Sequence, residues 1–111
     1  MNFVMSEIIR EKIFNNTEEE VPHSITCMIE NVEKNNNALN INAVIIVDRD
    51  SLKKIIIGKQ GSKIKKIGTE ARIELEELTG RKIYLEIFVK TIKKWRDKEQ
   101  YLTEFGYKDF E

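Results

Sequence analysis

Ser51 to Thr69 reads SLKKIIIGKQGSKIKKIGT, a stretch that holds six lysines and no carboxylate in a chain whose formal net charge is zero. Lys53, Lys54, Lys59, Lys63, Lys65 and Lys66 surround the apolar run Ile55 to Ile57, which ends in the turn Gly58-Lys59-Gln60-Gly61. Beyond the turn, Ile64, Ile67, Ala71, Leu75 and Leu78 recur at spacings of three and four. That period predicts an amphipathic helix beginning near Gly61 and stopped by Gly80. Its lysines crowd the first turns, and Glu70, Glu74, Glu76 and Glu77 occupy the later part. A helix dipole favours the opposite arrangement, by about 0.3–1 kcal/mol per charge. Two glycines without a Cβ, the N–H groups of a helix start and nearby ammonium groups together suit a polyanion, with a phosphate backbone the first candidate. The plainer alternative is an ordinary helix-to-helix turn with a solvated basic face.

Composition narrows the class. The chain has 111 residues and 41% hydrophobic content, which suits one domain with a real core. About a third of the residues are charged and the signs balance, so attraction to a polyanion has to come from a local patch. Cys27 is the only cysteine, which leaves no internal disulfide, and no signal-peptide pattern opens the sequence. A reducing cytoplasm is the expected setting. No apolar run reaches the ~20 residues that span a bilayer, which leaves peripheral contact with the inner membrane open.

Other stretches predict the scaffold. Val4, Ile8, Ile9 and Ile13 fit a short amphipathic helix ending at Asn15-Asn16, and Thr17 to Glu20 has the spacing of a capping box ahead of Val21-Pro22. From His23 the period changes to two, with Ile25, Cys27 and Ile29 on one face of a strand. Asn35-Asn36-Asn37 suits a tight turn into a second strand carrying Leu39, Ile41, Ala43, Ile45 and Val47, so the two form an antiparallel hairpin. Asp50 or Ser51 is placed to cap a helix from Leu52 to Ile57. Ile83, Leu85, Ile87 and Val89 mark a third strand, and a last helix carries Trp95, Leu102 and Phe105 before Gly106. Three strands with helices on one side make an α+β layer.

Catalytic chemistry finds no foothold. His23 stands alone, Cys27 lies on the apolar face of its strand, and no G-x-x-x-x-G-K-[ST] phosphate loop is present. The glutamates have the spacing of a wet helical face. No cofactor or metal is expected, and the chain reads as a binder. Tyr84 and Phe88 share a strand face that suits stacking on bases, although cover by a helix is the more usual fate of such rings. Trp95, beside Lys93, Lys94 and Arg96, fits packing and binding equally.

The segment from Ile56 to Ile64, IIGKQGSKI, resembles the K-homology (KH) signature I-G-x-x-G-x-x-I. Strands preceding the motif are similar to the type II arrangement. Over nearly the whole length the chain resembles the C-terminal domain of the Era GTPase family, through SEIIREKIF, EEEVPHS, VDRDSLKKIIIGKQGSKIKKIG, and WRD followed by FGY. The resemblance implies a single type II KH domain over residues 1–111, with a three-stranded sheet and N- and C-terminal helices. It also implies a piece of a larger GTPase whose GTP-binding domain is absent here, so GTP chemistry does not carry over.

Single-stranded RNA at the 3′ end of 16S ribosomal RNA is the implied ligand, and maturation of the small ribosomal subunit the implied role. Gly58, Lys59, Gln60 and Gly61 would clamp the RNA backbone. Ile56 and nearby strand side chains would floor a groove for bases. Lys63 and Lys66 are the first choice for phosphate contacts, with Lys53 and Lys54 next. The domain is expected to be monomeric, with the GTP-binding domain of its parent as a protein partner. Two alternatives stand beside this reading: a regulatory module docking a GTPase domain or ribosomal protein, and a KH domain of another ribosome-associated factor.

Overall fold

A computed structural model describes residues 1–17 and 25–98. Helix α1 spans Asn2–Asn15, strands β1 and β2 span Ile25–Asn35 and Ala38–Val47, helices α2 and α3 span Asp50–Ile57 and Ser62–Thr79, and β3 spans Lys82–Thr91. The sheet order is β1-β2-β3, with β1 antiparallel and β3 parallel to β2. The expected hairpin is therefore present, closed by Asn36 in the left-handed region at φ 57°. Because β2 and β3 are parallel, the chain must cross from one end of the sheet to the other, and α2, the glycine turn and α3 are that crossing.

All three helices lie on one sheet face. Alternate side chains Ile25, Cys27, Ile41, Ala43, Ile45, Val47 and Ile83 meet Met5, Ile9 and Ile13 of α1, Leu52 and Ile56 of α2, and Ile67, Ala71 and Leu75 of α3. Cys27 is one of these core groups, and burial pushes its thiol up to about 12. It is packed as a small apolar residue without a thiolate's reactivity.

Some details of the expected pattern change. Met5 is buried where Val4 was expected, and Val4 faces outward, because the phase of α1 is set by Met5, Ile8, Ile9 and Ile13. Leu78 is exposed in the last turn of α3. Neither Asp50 nor Ser51 caps α2: Arg49 holds that position without a side-chain bond, and the Asp50 carboxylate accepts from Thr91 Oγ1 at 2.7 Å, tying α2 to the end of β3. Trp95 is 1% exposed and packs on Val44 and Ile46 on the sheet face opposite the helices, which resolves its role toward packing. Tyr84 and Phe88 share that face, and among the described residues no helix covers them: they are 54% and 55% exposed. The capping-box glutamates, His23 and the C-terminal helix with Leu102, Phe105 and Gly106 lie outside the described residues.

Glu76 locks α3 to β3. Its Oε2 accepts the Ile83 N–H at 3.1 Å and its Oε1 accepts from Arg72 Nη1 at 3.1 Å. The backbone bond first, and then the Arg72 and Lys82 charges, hold its carboxyl below the ordinary glutamate range, against a smaller opposing effect of burial. A carboxyl depressed by folding adds stability above its unfolded value, about 4.3, and loses it as pH falls through the folded value. Urea unfolding of Glu76→Gln should therefore show a deficit at neutral pH that disappears on acidification. A deficit independent of pH would rule out the ionised carboxylate as its source.

Candidate nucleic-acid interface

The turn between α2 and α3 is built from unusual backbone. Gly58 has φ 75° and ψ 178°, Gln60 φ 56° and ψ 28°, and Gly61 φ 75° and ψ 13°. Gly58 N–H closes α2 by donating to Lys54 O at 2.9 Å, and Gly61 N–H donates to Gly58 O at 3.2 Å. The two glycines are needed for different reasons. A Cβ on Gly58 would stand 2.6 Å from Lys63 Cβ and 3.0 Å from Lys63 N, whereas one on Gly61 would meet nothing within 4 Å. Gly58 thus permits a close approach of α2 to the first turn of α3, and Gly61 supplies a conformation. Gln60 takes a left-handed conformation without being glycine, at a cost of about 1–2 kcal/mol.

This turn presents Lys59 and Gln60 to solvent and aims the start of α3 outward. No side chain caps that start, and its first turn contains no acid. The Gly61 and Ser62 N–H groups are taken by Gly58 O and Lys59 O, so the positive end of the dipole and the Lys59 ammonium are what the turn offers to phosphate oxygens.

A groove runs from the turn between α3 and β3, with a cavity of about 370 Å³. On the helix side it is walled by Ile64, Lys65, Gly68, Thr69 and Arg72, which return at intervals of three and four. Leu85, Glu86 and Ile87 form the strand side. Gly68 keeps the helix wall low, and a Cβ there would make only ordinary contact with Ile87 Cδ1, at 3.9 Å.

The strand wall is also polar. Among the described residues β3 pairs only with β2, so its outer edge is free. Because the Ile83 N–H points to Glu76 on α3, the period of two aims the main-chain groups of Leu85 and Ile87 into the groove. An unpaired base laid on Ile64, Leu85 and Ile87 would find backbone donors and acceptors at its edge. Such a slot suits single strands, whose bases can be splayed out, and not an A-form duplex.

The expected site residues divide by position. Gly58, Lys59, Gln60 and Gly61 come together in the turn that leads into α3, one helical turn before Ile64, the first residue of the groove wall. Ile56 does not reach it: the side chain is 0% exposed, inside the core beneath the turn, and so supports the turn from below. Leu85 and Ile87 provide the apolar strand floor instead. Lys53 and Lys54 lie on α2, half-buried and exposed respectively. Lys63 packs against Gly58, and Lys66 lies about 100° round the helix from Lys65, on the stripe that continues through Glu70, Ile73 and Glu77. Lys65 and Arg72 are the cations that line the groove, and neither was singled out from the sequence. A signal was available in Gly68, a glycine inside a helix that costs about 1 kcal/mol relative to alanine and sits between two cations on one stripe.

Sheet order, the glycine-bounded helix turn and the groove beside a strand edge that is unpaired among the described residues together define the class of domain. A family model for the KH domain matches residues 20–96, and the chain belongs to that family. Beyond the family, it is 55% identical over 111 residues to the GTPase Era of Thermotoga maritima, covering 98% of this chain and 37% of that protein. Two solved structures of Era superpose closely. One, from Aquifex aeolicus and bound to GDP.AlF4-, gives a TM-score of 0.89 at 46% identity, over 96% of this chain and 36% of that one. The other, Era in complex with MgGDPNP and nucleotides 1506-1542 of 16S ribosomal RNA, gives 0.90 at 46% identity over the same shares. The chain thus spans little more than a third of the length of these relatives and corresponds to their KH domain. Their GTP-binding domain is not among its 111 residues.

Three glycine substitutions separate the roles assigned to the turn and groove. Gly58→Ala should lower stability by about 1–3 kcal/mol through strain and the clash with Lys63. Gly61→Asn should cost little, since asparagine tolerates that backbone, and Gly68→Ala should gain about 0.5–1 kcal/mol. Urea unfolding measures all three, and equal losses at positions 58 and 61 would remove the close-approach argument.

Proposed function

We propose that this domain binds single-stranded RNA, with the segment near the 3′ end of 16S ribosomal RNA as its target, and acts in assembly of the small ribosomal subunit. The observation that carries the reading is the groove between α3, which starts at the glycine turn, and the outer edge of β3, unpaired among the described residues. Phosphates meet Lys59, the α3 start and Lys65, while bases meet Leu85, Ile87 and their backbone. Arg72, held by Glu76, stands further along the same track. The Era complex with a 16S ribosomal RNA segment supports the choice of target. A GTP-binding domain, present in the relatives, is the protein partner this reading assigns to the domain.

Fluorescence anisotropy with a short single-stranded RNA from the ribosomal 3′ end, against a scrambled RNA of equal composition, tests both levels. The ribosomal RNA should bind more tightly, and Lys59→Asp with Gln60→Asp should abolish binding while the far-UV CD spectrum stays unchanged. Aspartate fits the left-handed backbone at position 60, so the fold survives the change. Affinity should also fall with salt, at a log-log slope of about −0.7 per phosphate contacted. Full affinity in the double variant removes the turn from the mechanism. Equal affinity for both RNAs keeps RNA binding and removes the ribosomal target.

A further inference from the structure

We propose that the RNA track does not end in the groove but continues round the outer edge of β3, where Tyr84 stacks a nucleobase on the sheet face opposite α1, α2 and α3. The inference rests on the groove reading and extends it to a second surface. Arg72, Leu85 and Glu86 line the groove cavity and also a second cavity of about 480 Å³, whose other walls include Asn40, Asn42 and Tyr84. In the sheet register Asn40 lies opposite Tyr84 and Asn42 opposite Glu86, so this second cavity opens on the face away from the helices. The two cavities are therefore continuous across the β3 edge. Tyr84 is shared in turn with a third cavity at the end of the sheet, where Arg81 and Lys82 stand beside the Asn36-Asn37 turn.

The chemistry of this surface selects its occupant. Tyr84 is 54% exposed, and the Lys82 ammonium lies 5.5 Å from its ring centroid, so a ring face for a base comes with a cation for a phosphate. Asn40 and Asn42 carry amides able to pair with base edges, and Arg72, Arg81 and Lys82 outnumber the one carboxylate, Glu86. A protein partner would be expected to seat a broad apolar core. Here Tyr84 is the one aromatic ring lining the two cavities, set among amides and cations, with Phe88 exposed further along the same face, and the site adjoins a groove already suited to a single strand. Stacking on an aromatic ring tolerates any base and adds affinity without base-edge readout.

The test uses two nested single-stranded RNAs, one of about five nucleotides, enough to fill a KH groove, and one of about ten that continues beyond it. Each is titrated by anisotropy against the wild type, Tyr84→Ala, Tyr84→Phe and the Lys59→Asp, Gln60→Asp variant. Tyr84→Ala should weaken the longer RNA by about fivefold or more and leave the shorter one unchanged. Tyr84→Phe, which keeps the ring, should retain both affinities. An unchanged longer RNA, or an equal loss for both, overturns the inference. Dependence of the longer RNA on Tyr84 but not on Lys59 and Gln60 would mean that the sheet face binds alone and the continuous track is wrong. Failure of the wild type to bind either RNA would sink the groove reading and this inference together.

Discussion

The close approach of Gly58 to the first turn of α3 is the contact on which the remaining geometry depends. With no Cβ at position 58, the end of α2 can lie against Lys63, and the chain turns within four residues. That turn fixes where α3 starts, and the start fixes which residues of α3 face the sheet, the groove and solvent. The local cost is real: about 1–2 kcal/mol for the left-handed Gln60, and a fraction of a kcal/mol for each lysine at the wrong end of the dipole. The core beneath outweighs it. Ile56, Ile67 and Leu75 are fully buried around the turn and its helix, and each such side chain contributes about 1.5–3 kcal/mol. Strain is thus held at the ligand end of α3 by apolar burial along the rest of it.

Several elements were legible because their signals are local. The 3–4 period of α3, the period-two strands, the asparagine turn and the glycine-bounded motif each depend on near neighbours, and all hold within the described residues. What the sequence left open was the relation between elements. Lys63, Lys65 and Lys66 look alike in a helical run, and only the position of β3 separates Lys65, inside the groove, from the other two. Ile56 is part of the motif, yet the same apolarity that suggests a groove floor also suits a core, and the core claims it. On β3 alternation divides Ile83, Leu85, Ile87 and Val89 from a face that mixes Tyr84 and Phe88 with Lys82, Glu86 and Lys90, so the period alone left open whether a helix covers the two rings. Asp50 and Thr91 are 41 residues apart, so their bond carries no local signature.

Reading and holding are assigned to different parts of the groove. In the proposed reading the helix start and Lys59 at the turn engage phosphates, which every RNA shares. The β3 edge offers donors and acceptors at positions fixed by the strand, and only some bases match them. Glu76 links the two, since it bonds the Ile83 N–H on the strand and the Arg72 guanidinium on the helix. It therefore sets the distance between the walls while holding the one groove cation furthest from the turn. A carboxylate beside an RNA groove would ordinarily repel phosphate, but here its charge is engaged by two donors before any ligand arrives.

The same division explains how a chain with no net charge can hold a polyanion on one side only. Around α3 the groove stripe carries Lys65 and Arg72, and the stripe toward α1 carries Glu70, Glu74 and Glu77. Those acids are partly engaged: Lys12 donates to Glu74 at 2.6 Å and Asn16 to Glu70 at 2.7 Å. The hydrogen bond to Glu74, then that to Glu11, raises the Lys12 ammonium above the ordinary lysine range, so the cation there is committed to holding α1 on α3. An RNA approaching from the α1 side would meet carboxylates, and one approaching the turn would meet ammonium groups and the positive end of the α3 dipole. At physiological ionic strength the Debye length is about 8 Å, so each patch acts mainly on its own surroundings. In the proposed reading, charge separation across one helix would orient the ligand before any base is read, and overall neutrality would limit the non-specific attachment to nucleic acid expected of a uniformly basic domain.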